Sequence, residues 1–415
     1  RRDFVPEGQK CAYLGENTAG NALFDMEEPY EDMSPPDEFY RLLALMRFWN
    51  MVEYWFPYRD LIDEDWDSVL LDSVEEFRTA DSSLAYRTAL LRLVVRIDDT
   101  HASLWTAGDA MPPGGWAMSP VAVRPVEGRP FVWKRLPTEN DPVDIGVRPG
   151  DVILAVDGKP VPELMEAWRP YYGASNDISF LRDAYQNMLR GAVEELAVTV
   201  ERDGESLDVI APLVAMRDVD RTPPMTHDRV GETFQIIDDD IAYLKLSTLT
   251  KEDLPQSVDK MIGKRGLIID IRGYPNTFSV FSLGQHLVPD ATPFAKITMP
   301  DANQPGLFHW SYTLELKPRE PTFIGPVAIL VDERSLSQAE YTAMAFRASP
   351  NAVVFGSQTS GADGNVSRIV LPGAQQATFS GLGVFYPDGS PTQQIGILPD
   401  CEVRPTMEGL RNGKD

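Results

Sequence analysis

Val327-Ala-Ile-Leu-Val-Asp-Glu-Arg-Ser-Leu-Ser-Gln-Ala-Glu-Tyr-Thr-Ala-Met-Ala-Phe346 reads as a strand, a turn and a helix in immediate succession. Unbroken apolar residues from Val327 to Val331 suit a strand covered on both faces. Asp332-Glu333-Arg334 ends the run, and Ser335 or Ser337 stands where a helix N-cap belongs. Ala339, Ala343, Met344 and Phe346 then give the helix an apolar face. Free backbone N–H groups and the positive end of a helix dipole stabilise a developing oxyanion, so a hydroxyl at this place is well set for nucleophilic chemistry. Serine caps helices of every kind, and the segment alone leaves a plain capping role open.

Outward from this stretch, strands and helices alternate from about residue 217. Ile241–Leu246, Gly266–Arg272 and Ala352–Gly356 read as strands, and Leu254–Ile262 and Phe278–Leu287 as helices. The alternation predicts an α/β domain with a largely parallel, buried sheet, whose ligand sites lie at the carboxyl ends of its strands. Gly273-Tyr-Pro-Asn276 and Ser335-Leu-Ser337 both fall at such ends.

Toward the N-terminus the period changes. Apolar residues at helical spacing from Phe39 to Trp55, from Trp66 to Phe77 and from Leu84 to Val95 predict three helices. Residues 1–36, acidic and broken by Gly and Pro, read as an extended arm. Val121–Arg124, Pro130–Lys134, Val152–Val156 and a hairpin about Asp203-Gly204 predict a strand-rich unit, with helical patterning across 163–190. The chain thus divides into an arm (1–36), a helical module (37–110), a β-rich domain (116–216) and an α/β core (217–415).

With 63 acidic against 38 basic residues the net charge is −25, which repels phosphate backbones and argues against nucleic-acid binding. No apolar run reaches the roughly 20 residues of a membrane span. Cys11 and Cys401 are the two cysteines, their pairing open, and no Cys/His cluster suggests structural zinc.

A serine nucleophile needs a base. No lysine occurs between Lys317 and Lys414, so a local Ser–Lys dyad with Ser337 has no candidate there. Of four histidines, His286 falls on an apolar helical face, His227 in a Pro-rich segment and His309 beside Trp310. His101 follows a helix among polar residues at a domain junction, the best placed of the four for general-base work.

Asp99-Thr-His-Ala102, Gly146-Val-Arg-Pro-Gly-Asp-Val-Ile-Leu-Ala-Val-Asp-Gly158, Asp270-Ile-Arg-Gly-Tyr-Pro-Asn276 and Ser335-Leu-Ser-Gln-Ala-Glu340 occur in this order. Together they resemble the C-terminal processing (tail-specific) peptidases and the related tricorn-core peptidases, over residues 37–409. The resemblance implies a crotonase-like α/β core and a PDZ-like domain at 116–216, which would take substrate C-termini by strand addition. It makes Ser337 the nucleophile, with backbone amides near Asn276 and at Gln338 as oxyanion donors and Gly273 and Tyr274 beside the substrate. Ala362, within Thr359-Ser-Gly-Ala-Asp-Gly364, stands at the family's lysine. That points to the branch in which a distant histidine serves, and His101 matches it. Gln393 occupies the place of that branch's supporting glutamate; glutamine orients an imidazole by hydrogen bonding but brings no charge.

The expectation is a serine endopeptidase or C-terminal processing peptidase acting through a Ser337 acyl-enzyme, with peptide or protein substrates and no metal or organic cofactor. Two other functions fit the same scaffold: a non-catalytic ligand- or peptide-binding protein, and an esterase using the same serine. Export to the periplasm or beyond is expected of a chain that starts at Arg1, with a cytoplasmic location open.

Overall fold

The computed structural model describes residues 19–24, 26–139, 145–222, 226–238, 240–301 and 303–414. Cys11 and the start of the arm lie outside them; Cys401 is exposed. No described helix is long and apolar enough to cross a membrane.

Three helices, Glu38–Trp55, Trp66–Thr79 and Ser83–Val94, form the first body. Each starts at a residue whose side chain accepts a first-turn amide: Asp37 from Tyr40, Asp65 from Ser68 and Ser82 from Ala85. Their apolar faces share one core with the strands Val366–Leu371 and Gln375–Ser380. The described part of the arm joins that core. Phe24 is fully buried, and Asn21 Nδ2 donates to Val366 O at 3.2 Å.

The second body is an antiparallel sheet in the order Val121–Val126, Arg129–Arg135, Val152–Val156, Glu195–Arg202 and Glu205–Pro212. Asp203-Gly204 turns its last hairpin with both residues at positive φ (54° and 82°), as a tight hairpin with right-handed strand twist requires. The helices Val161–Trp168 and Asp177–Asn187 account for the helical patterning between the strands.

The third body is a six-stranded sheet ordered Phe234–Ile237, Ile241–Lys245, Gly266–Asp270, Val327–Val331, Ala352–Gly356 and Cys401–Glu402. Its first pair is antiparallel and the remaining pairs are parallel. Asp270 lies opposite Leu330, so two strands end side by side, and both candidate segments emerge there.

Local departures from the sequence pattern have local causes. The helix expected over Phe278–Leu287 is confined to Val280–Gly284, because the amides of His286 and Leu287 bond three residues back and tighten the turn. The strand from Gly266 stops at Asp270, whose carboxylate takes the Arg272 amide at 3.0 Å. Val327–Val331 is sealed on one face only. Val327, Ile329 and Val331 are buried while Ala328 and Leu330 border a cleft.

Candidate active site

The serine turn is built by its own side chains. Asp332 Oδ1 accepts the Arg334 amide at 2.8 Å, and Ser335 Oγ donates across to Ile271 O at 2.8 Å. Ser335 therefore staples two strand ends together and is consumed by structure. Ser337 follows at φ 58° and ψ −120°, a conformation that only glycine adopts without strain. Such a residue costs on the order of 1–3 kcal/mol and persists where its surroundings over-determine it. Here the Ser337 amide is held by Ala362 O at 3.0 Å and by Glu340 Oε2 at 3.1 Å.

Glu340, fully buried, is the hub of this region. Besides the Ser337 amide it accepts the amides of Gly361 (2.8 Å) and Ala362 (3.1 Å) and the Thr359 hydroxyl. Burial pushes its carboxyl up to about 7, against the downward pull of these hydrogen bonds. The helix Gln338–Arg347 begins directly after Ser337, and among the described residues no acceptor takes the Gln338 amide.

His101 occupies a turn after the third helix, entered through Asp98 at φ 52°. Asp99, fully buried, accepts the amides of His101 (3.0 Å) and Ser380 (2.6 Å) and the Ser380 hydroxyl (2.9 Å). His101 Nδ1 lies 2.8 Å from the same hydroxyl oxygen. With the Ser380 proton committed to Asp99, the pattern assigns Nδ1–H as donor to Ser380 and leaves Nε2 with its lone pair. Lost hydration lowers the His101 pKa; the Asp99 charge raises it and Arg182 lowers it, with a net downward shift. The ring is thus neutral near pH 7, the form a general base needs.

Ser380 had no signal in the sequence, being 279 residues from His101. Asp99 lay inside a quoted motif, but its role was not legible. Gln393 is buried and donates from Nε2 to Asp99 Oδ1 at 3.2 Å. It braces the aspartate rather than the imidazole.

The oxyanion expectation needs one correction. The Asn276 backbone amide is already donated to Leu246 O at 3.0 Å and one side-chain N–H to Leu249 O at 3.2 Å, so Asn276 fixes its loop and its backbone amide is not a free oxyanion donor. Gly273 is packed so closely that a Cβ would lie 2.8 Å from the Ser247 side chain. Tyr274 is exposed and borders, with Ser337 and Gln338, a pocket of about 380 Å³.

The strap of residues 359–364 ties the two halves together. Thr100 Oγ1 donates to Ser360 O at 3.2 Å, and Ser337 donates to Ala362 O. Among the described residues no hydrogen bond joins Ser337 Oγ to His101. The antiparallel body locks both turns: Ser175 and Thr100 exchange bonds of 2.8 and 2.9 Å, and Arg182 Nη1 donates to Glu333 O at 2.9 Å. Gly173 permits this approach, since a Cβ there would lie 2.1 Å from Ala102 O.

His227 is the unexpected histidine. It is buried, 2.6 Å from Asp332 Oδ2, with Trp133 of the antiparallel body edge-on to its ring. His227, Asp332 and Glu333 have ligand atoms within 4.8 Å of one another. Arg124, however, sits 3.2 Å from Glu333 Oε1 and 3.9 Å from Asp332 Oδ2 and already supplies the positive charge. The cluster reads as an ion network that docks one body on the other beneath the serine turn. The other two histidines are accounted for: His286 is buried against Pro321 O at 2.7 Å, and His309 pairs with Asp301 at the surface.

Residues 240–403 match the model of peptidase family S41. Curated protein sequences yield no match. Among solved structures, mature CPAF complexed with lactacystin is similar at a TM-score of 0.69 and 14% identity, over 90% of this chain and 95% of that one. Mature CPAF alone gives 0.67 at 13% identity, covering 90% and 94%. A protein of Parabacteroides merdae ATCC 43184 gives 0.55 at 16% identity, covering 91% and 93%. At these identities the likeness concerns the fold. With this match lying across the sheet that carries the serine turn, the chain is a serine peptidase, similar over residues 240–403 to peptidase family S41.

Proposed function

We propose that this peptidase cuts peptide chains through a Ser337 acyl-enzyme with His101 as general base, in the manner of the family's Ser/His branch. The observation that carries the reading is the strained Ser337 backbone, held at a helix N-terminus and opening on a pocket at the carboxyl edge of a parallel sheet. His101 Nε2 takes the Ser337 proton as substrate binding draws the two together, since catalytic contacts tighten in the Michaelis complex. Asp99, acting through the Ser380 hydroxyl, stabilises the imidazolium that forms and supplies the charge that Gln393 lacks. The Gln338 amide, with an amide of the 273–277 loop other than that of Asn276, holds the oxyanion. His101 then protonates the leaving amine, and water attacks the ester by the same route.

The core is read as crotonase-like and the antiparallel body as PDZ-like. One edge strand of that body, Val121–Val126, is fully buried, while the other, Glu205–Pro212, is half exposed and is the edge that an extended peptide or chain end would join in this reading.

The test is labelling with a fluorophosphonate probe, set beside cleavage of unstructured protein substrates. Wild type should label and cut; Ser337→Ala and His101→Ala should do neither while keeping their fold by circular dichroism. Labelling that persists in Ser337→Ala would remove Ser337 from the mechanism.

A further inference from the structure

The pocket in front of Ser337 is walled by aromatic and aliphatic side chains, among them Tyr274, Phe278, Tyr341, Leu382 and Val384. One charged residue, Asp363, interrupts this apolar lining. Asp363 is 2% exposed. Its Oδ1 accepts the Gly364 amide at 2.7 Å, while its Oδ2 is buried with neither a donor nor a cation beside it among the described residues. A buried carboxylate with one backbone hydrogen bond and no counter-ion is held against a desolvation penalty that an incoming cation would relieve. The residue directly before it, Ala362, receives the Ser337 amide, which places Asp363 one residue from the nucleophile's own anchor.

We propose that Asp363 makes this a specificity pocket for a lysine or arginine side chain of the substrate, next to the bond that is cut. Apolar walls take the aliphatic stem of such a side chain, and the carboxylate takes its cationic head. The net charge of −25 acts in the same direction by drawing cationic peptides to the protein. The inference rests on the peptidase reading above and deepens it with a substrate class.

The protonation of Asp363 follows from its neighbours. Burial and the adjacent Glu340 push its carboxyl well above the ordinary range, and the Gly364 amide pulls it down. Its charge is felt by Tyr58, Tyr341 and Tyr386, whose hydroxyl pKa values it helps to raise. Burial thus disfavours the charged carboxylate in the free enzyme, and a bound cation favours it. Preference for a basic residue should grow as pH rises.

The test uses internally quenched peptides, identical except for one position carrying Arg, neutral citrulline or Leu, with cut sites read by mass spectrometry. Wild type should cut beside Arg at least about 30-fold better than beside citrulline, the factor that about 2 kcal/mol of charge pairing gives. Asp363→Asn should bring the Arg-to-citrulline cutting ratio close to one. Fluorescence anisotropy of the same peptides on Ser337→Ala protein reads binding without turnover, and the Arg peptide should bind at least about 10-fold tighter than the citrulline one. Equal cutting of Arg and citrulline peptides by an active wild type would overturn this inference and leave the peptidase reading intact. Absent labelling and cleavage together with Arg-selective binding would do the reverse. Equal binding of the two peptides would sink the pocket assignment whatever the catalytic result.

Discussion

Replacing Asp99 by asparagine keeps its size and removes the charge behind His101. Hydrogen bonds of 2.8 and 2.9 Å in series put the carboxylate within a short reach of the ring, on the far side of the Ser380 hydroxyl. At about 5.5 Å and an effective dielectric of about 20, an imidazolium–carboxylate pair is worth about 3 kcal/mol, or roughly a 10²-fold change in rate. Asparagine also brings an NH₂ group into a place where Asp99 now accepts from His101, Ser380 and Gln393. That amide favours the wrong imidazole tautomer, so the loss should be at least 10²-fold in kcat/KM. The pH profile supplies a second readout. The Asp99 charge raises the His101 pKa, so its removal should shift the acid limb of kcat/KM to lower pH even as the plateau falls. The assay is peptide turnover and fluorophosphonate labelling rate against pH, on protein shown to be folded. A folded variant with an unchanged plateau and an unmoved acid limb would refute the relay.

Glu340→Gln turns an NH₂ group toward the donors of Ser337, Gly361 and Ala362; we expect labelling to fall at least about 10-fold and stability by about 1–3 kcal/mol in urea unfolding. Gly173→Ala forces the backbone apart at Ala102 O, and should slow labelling although it lies in another body; an unaffected rate would mean that the approach of the two bodies does not position His101. Burial raises the Asp332 carboxyl from 3.8 to about 6, so its contribution to stability is fully present below about pH 4 and is lost as pH rises through about 6. Asp332→Asn should flatten stability across that window by about 3 kcal/mol, measured as urea midpoints between pH 4 and 7. Arg124→Ala leaves Glu333 buried without its guanidinium and should cost about 3–5 kcal/mol; a loss under about 1 kcal/mol would show that the cluster does not dock the two bodies.

The sequence by itself determined the elements and the turn that carries Ser335 and Ser337. Apolar periodicity marked the three N-terminal helices and the strands of both sheets, because burying one face of an element is a local demand on spacing. The Ser335-Leu-Ser337 turn was legible for the same reason: a strand, a polar break and a helix start lie within twenty consecutive residues. What tertiary structure decided is everything that depends on which distant groups meet. Ser380 became the link between His101 and Asp99 because Ser103 pairs with Thr378, which brings the two segments side by side. Gln393 came to brace Asp99, and the Asn276 amide was spent on Leu246, through contacts that no spacing encodes. His227, which the sequence set in a Pro-rich segment, proved to lie in a buried charge cluster. Its partners come from two distant stretches of chain, Trp133 and Asp332-Glu333, and only close packing brings them to one imidazole. Local patterns report the cost of exposing apolar surface residue by residue. Polar networks report long-range closure, in which each donor's partner is fixed by the fold as a whole.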